Sequence, residues 1–89
     1  MKIMTKEQIK CGNISHGVYL LEDIQRKLNE RELKGSCCII KSITHDGSTW
    51  ITIELEWRNN FPDRIIQTTG NYVRGLIAGI LIWSGVEVI

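Results

Sequence analysis

The 89-residue chain has room for one folded domain and one hydrophobic core. Its 11 Lys and Arg are nearly cancelled by 10 Asp and Glu, so it lacks the strong positive field that drives binding to a phosphate backbone, and nucleic acid is disfavoured as a partner. Three cysteines, two of them adjacent as Cys37 and Cys38, do not make a disulfide framework and point to a reducing, cytoplasmic setting; the longest apolar run, residues 76–83, is about half of the roughly 20 residues that span a bilayer, which disfavours a membrane segment.

The first dozen residues carry Lys2, Lys6, Glu7 and Lys10 without an apolar run, a pattern that argues against a secretory signal. Thr5 followed by Gln8 has the form of a capping box, and Gly12 is placed to stop a short helical turn, so residues 1–14 are expected to be such a turn or frayed. A helix is predicted from Ser15 or His16 to Lys34. Val18, Leu21, Ile24 and Leu28 recur at helical spacing, Gly35 follows the end, and Glu22, Arg26, Lys27, Glu30 and Arg31 make its wet face.

Two β-prone runs, residues 36–44 and 49–58, flank His45-Asp46-Gly47-Ser48, and Asp-Gly is the pair favoured in a two-residue type I′ turn. That turn predicts Thr44 opposite Thr49, Ile43 opposite Trp50, Ile40 opposite Ile53 and Cys38 opposite Leu55. Ile51, Ile53, Leu55 and Trp57 then point inward. Trp50, Thr52, Glu54, Glu56 and Arg58 point outward, and with Ile39 and Ile43 on the same outer face Trp50 becomes the anchor of a candidate partner surface.

Asn59 to Asp63 reads as a loop, and residues 64–69 read as a third short strand in preference to the first turns of a helix. Gly70-Asn71 offers a break before a helix over 72–84 closed by Gly85, with 86–89 as a further edge strand. The expected class is α+β, an antiparallel hairpin with an N-terminal helix and an apolar C-terminal helix packed on the sheet.

That last helix is the informative element. Tyr72, Val73, Leu76, Ile77, Ile80, Leu81, Ile82 and Trp83 surround it almost completely, with Arg74 as its one charge. A chain this short has little with which to cover both sides, so a second subunit or an apolar ligand is expected to supply the rest. Gly75 and Gly79, four apart with Ala78 beside them, suit close approach of another backbone, either this chain's own sheet or a self-paired helix.

Catalytic chemistry finds little support. Cys37 or Cys38 with His45 or His16 would be the candidate nucleophile and base, and Cys11, His16, Cys37 and His45 the candidate metal ligands, but the spacings match no common site. Glu54 and Glu56 read as a solvated strand face. A stacking platform of Trp50, Trp57, Lys41, Arg58 and Arg64 for nucleic acid is weakened by those glutamates and by the opposite directions of the two tryptophans. No catalytic residue, metal or cofactor is therefore expected. The residues expected to bind a ligand or partner are Trp50, Ile39, Ile43, Tyr72, Gly75, Gly79 and Trp83.

The run GSCCIIKSITHDGSTWITIELEW, a linking segment, and then YVRGLIAGILIWSGVEV resemble in order and spacing the 4-vinyl reductase-type small-molecule-binding domain, whose superfamily includes trafficking-complex subunits of the Bet3 type. The resemblance covers residues 35–89 and is carried by Tyr72, Gly75 and Gly79; it implies a mixed α/β fold, frequent dimerisation and an apolar ligand or partner site near the glycine helix. The family pattern continues with an acidic-cysteine segment past Ile89 and has a longer N-terminal helical part, and both differ from this sequence. The reading of the sequence is a non-enzymatic intracellular regulatory or adaptor domain that forms a homodimer, with an apolar-ligand-binding domain and a nucleic-acid-binding accessory protein as alternatives.

Overall fold

A computed structural model describes residues 3–12, 14, 17–47 and 49–89, so Lys2, Ser15, His16 and Ser48 lie outside the described residues. Strand β1 (Met4–Lys10), helix α1 (Gly17–Glu30), strands β2 (Cys38–His45) and β3 (Trp50–Trp57) and helix α2 (Asp63–Trp83) follow in order. The strands form one antiparallel sheet in the order β1-β3-β2, an α+β arrangement with β3 at its centre. Ile51, Ile53, Leu55 and Trp57 of β3 are buried, whereas Trp50, Thr52, Glu54 and Glu56 are exposed or half-exposed. Leu21, Ile24 and Leu28 of α1 and Val73, Ile77 and Leu81 of α2 join the same core, so both helices cover one face of the sheet and leave the other open.

Residues 4–10 form a strand where the capping pattern predicts a helical turn. Their period is two: Thr5, Glu7, Ile9 and Cys11 lie on the core side, and Met4, Lys6, Gln8 and Lys10 on the open side. Thr5 caps nothing. Its hydroxyl accepts a 2.8 Å hydrogen bond from the indole N–H of buried Trp57, and pairing along β3 outweighs a short helix whose nucleation is costly. Helix α1 ends at Glu30 rather than Lys34; the Leu33 N–H bonds the Leu28 carbonyl at 2.8 Å, a wider turn that swings Leu33 into the core.

The hairpin register differs from the one a two-residue turn dictates. Thr44 pairs with Thr52 rather than Thr49, a shift of three, and beyond a bulge between Ile40 and Ser42 the shift falls to two, Cys38 pairing with Trp57. An odd shift exchanges the faces of β2, so Ile43 is buried in the core and not on the outer face; the extra residue restores Ile40 and Cys38 to the core as well. The longer loop is closed by Asp46, whose carboxylate accepts the N–H groups of Thr49 (3.0 Å) and Trp50 (3.2 Å).

Residues 64–69 are helical, a correction to the strand reading, because α2 runs unbroken for 21 residues. Pro62, at φ −57°, leads into it, Asp63 places an acid at the positive end of the helix dipole, and Gly70, Val73, Ile77 and Leu81 make a buried stripe at spacings of three and four. Gly70 therefore does not break the helix. It faces β1, where a Cβ would stand 3.1 Å from the Glu7 carboxylate. The far end is a Schellman motif: Gly85 adopts φ +91°, its N–H reaches the Ile82 carbonyl (3.0 Å), and the Val86 N–H reaches that of Leu81 (2.9 Å). Residues 86–89 form no strand, only a single bridge between Val88 and Cys11.

The two edges of the sheet are treated differently. At β2 the Asn29 carboxamide of α1 grips the outward backbone of Ile40, accepting from its N–H at 2.8 Å and donating to its carbonyl at 2.9 Å, while Gln25 one turn earlier donates to the carbonyls of Ile40 and Lys41. The two amides act as a substitute strand at the bulge. Replacing Asn29→Ala leaves the Ile40 N–H without its partner and its carbonyl with Gln25 alone, and is expected to cost about 1–2 kcal/mol. Urea denaturation measures this, and a loss below about 0.5 kcal/mol would show that water replaces the amide without penalty.

Candidate functional site

The side of α2 opposite its buried stripe carries Tyr72, Gly75, Gly79, Ile82 and Trp83, as a rotation of 100° per residue requires. Trp83 is 90% exposed, Ile82 59% and Tyr72 56%, while nothing lies within 4 Å of a Cβ built at Gly75 or Gly79. None of the described residues covers this face. The glycines thus give α2 a low, bare strip of backbone between large side chains, and neither packs against the chain's own sheet; in this chain the close approach to the sheet is made by Gly70 instead.

Trp50, Ile39 and Ile43 are not brought together. Ile43 is in the core, and Trp50 and Ile39 lie near opposite ends of the open face, paired with Lys10 and Glu56, about 20 Å apart by strand rise. Trp50 instead borders a cavity of about 570 Å³ between the β1 edge, one flank of α2 and the last residues. Gln8, Lys10, Asn71, Arg74, Gly75 and Ile89 are among its walls, whereas Gly79 and Trp83 are not. Local sequence patterns do not mark this cavity, because it is assembled from four separate segments. Its volume falls within the range of small-molecule sites, but its mouth is open and two of its walls are cationic.

Cys38 and His45, a predicted nucleophile and base, are not brought together. Cys38 is buried at the start of β2 and His45 stands at its end, roughly 20 Å away by strand rise. Nδ1 of His45 accepts the Gly47 N–H at 3.1 Å, which places the proton of neutral imidazole on Nε2; Nε2 is buried and has no hydrogen-bond partner among the described residues. Burial pushes the Cys11 thiol above its ordinary range, with the negative charge of Asp46 adding to the effect. Burial raises Cys38 too, Cys37 adding and Arg58 opposing. Both are held as thiols and not as the nucleophilic thiolate. Among the described residues no group of three or more His, Cys, Asp or Glu is placed to hold a metal ion, and no helix is long and apolar enough to cross a membrane.

No protein-family model matches the chain, and no curated protein or solved structure matches it.

Thiols with raised folded-state pKa values stabilise the fold below the unfolded value of about 8.5, and the contribution is lost as pH rises from there through the folded values, because the unfolded chain releases protons first. The chemical-denaturation midpoint is expected to fall as pH rises above about 8.5, and to fall less steeply in a Cys11→Ala/Cys38→Ala variant. Equal slopes in the two proteins would contradict the assignment.

Proposed function

We propose that the chain is a non-catalytic association module, a regulatory or adaptor domain that pairs with a second copy of itself through the outer face of α2. The observation that carries this reading is the 90% exposure of Trp83 on the same face as Tyr72, Ile82 and two bare glycines. Large aromatic side chains are the usual anchors of protein interfaces, and such an anchor is most effective when it meets a pocket. The face supplies its own. In an antiparallel pair of α2 helices centred on Gly79, Trp83 lies four residues to one side and Gly75 four to the other, so each indole comes over Gly75 of the partner subunit. The small residues let the helix backbones approach, as they do in tightly packed helix pairs.

This arrangement also accounts for the glycines energetically. Each costs about 0.8–1 kcal/mol relative to alanine in a helix interior, and neither recovers that cost by contact within one chain. The three unpaired cysteines support an intracellular setting for the module. A small apolar ligand has less support, since the cavity beside Gly75 opens to solvent and carries Lys10 and Arg74.

A single helix pair buries less than a standard interface, so a dissociation constant on the order of 10 µM is expected. Sedimentation velocity across a concentration series checks it, and a monomer at about 1 mM would contradict the proposal. Trp83→Ala is expected to weaken the dimer at least roughly 30-fold, an effect of about 2 kcal/mol. Gly79→Ala separates the two roles of the helix: the monomer gains about 0.8–1 kcal/mol while the dimer weakens.

A further inference from the structure

One more exposed aromatic stands outside the face of α2. Tyr19, in the first turn of α1, is 81% exposed, and with Leu20, Asp23 and Ser84 it borders an open cleft of about 560 Å³ where the start of α1 meets the end of α2. Among the described residues these four make its walls, Leu20 and the Tyr19 ring apolar, Asp23 and Ser84 polar. The Asp23 carboxylate is paired with Lys27 at 2.9 Å and with Arg26, so its charge is balanced while it keeps acceptor capacity for a neutral donor. Such a lining suits an aromatic ring that carries one hydroxyl.

We infer that this cleft receives Tyr72 of the partner subunit, an assignment that rests on the helix pairing proposed above. Position selects the occupant. In an antiparallel pair centred on Gly79, residues equally far before and after that glycine come level, so the partner's Tyr72 comes level with residue 86, about 3 Å past Ser84 along the helix axis. There α2 has ended at Trp83, and the chain has turned at Gly85 to bury Val86, so the phenol overhangs the helix end and the cleft beside Ser84. The side agrees as well. Tyr72 and Trp83 lie within about 20° of one line along the helix and lean away from the flank of Asn71, Arg74 and Ala78 at the β1 edge, hence toward α1, which lies over β2. A two-fold axis in the interface, running across the helices, keeps that side common to both subunits. The phenol ring then rests on Leu20 and Tyr19 with its hydroxyl at Asp23 and Ser84, and α1 adds area to a helix pair that is small for an interface. Each dimer holds this contact twice.

Within one chain Tyr72 stands about 18 Å along the helix from Ser84, so the phenol and the cleft influence one another only across the pair. A complementation experiment on the whole chain uses this separation. Tyr19→Ala and Tyr72→Ala each trim a side chain exposed in the monomer, and circular dichroism is expected to show the fold unchanged. Each variant alone is expected to dimerise roughly 30-fold more weakly than the unaltered chain in sedimentation velocity. Mixing them restores one contact, the Tyr72 of one chain against the intact cleft of the other. Anisotropy of labelled Tyr19→Ala chain titrated with Tyr72→Ala chain is therefore expected to give a mixed pair about fivefold tighter than either homodimer, beyond the statistical factor of two. A mixed pair no tighter than the homodimers, with Trp83→Ala still weakening the dimer, would overturn the cleft assignment and leave the helix pairing in place. A monomer in the unaltered chain at about 1 mM would overturn both.

Discussion

The fold depends on keeping one face of β3 dry. Ile51, Ile53, Leu55 and Trp57 are each at most 1% exposed, and at about 1.5–3 kcal/mol for each large apolar side chain their burial is worth roughly 6–12 kcal/mol as an upper figure. That rivals the whole net stability of a small domain, about 5–15 kcal/mol. Each other element is placed by its relation to that face: β1 and β2 complete the sheet on either side of it, α1 lies over β2, and α2 lies over β1. With both helices committed to this side, none of the described residues covers the outer face of α2 or the open face of the sheet.

Elements whose pattern is set by burial were legible in the sequence. The alternation of β3, the stripe Leu21-Ile24-Leu28 and the helix stop at Gly85 all appear in the structure, since each reports a periodicity or a backbone requirement that local sequence encodes. The hairpin register was misread because Asp46-Gly47 suggested the shortest turn. Burying Ile43 outweighs the turn preference, and the clue was its spacing of three from Ile40, which a regular strand cannot place on one face. β1 was missed because its Lys, Glu and Gln suggest a polar turn; only the spacing of Thr5, Ile9 and Cys11 shows its buried side. The β-branched residues at 65–69 were drawn into helix by the tertiary environment, with Ile66 and Gly70 continuing the stripe of α2.

The candidate site was legible in part. An all-round apolar helix in a short chain must leave something uncovered, and Tyr72, Ile82 and Trp83 are the residues left out. What the sequence did not show was which side would be dry, because that depends on Gly70 lying against Glu7, a contact between residues 63 apart in the chain. The same contact turns Gly75 and Gly79 outward. The cavity was invisible for the related reason that its walls come from β1, β3, α2 and the tail, and the Asn29 clasp on Ile40 was missed because an amide on a helix ordinarily reads as a solvated residue.

The division of α2 into faces bears on how two surfaces can coexist on so small a domain. The core stripe at Val73, Ile77 and Leu81 fixes the helix, the opposite face presents Trp83, and one flank, with Asn71, Arg74 and Ala78, looks toward the β1 edge. Gly75 stands at the border of the last two, and a side chain there would intrude on both. Lys6 and Lys10 on the exposed side of β1 discourage that edge from pairing with its own copy, which is why the proposed self-association is assigned to the helix face.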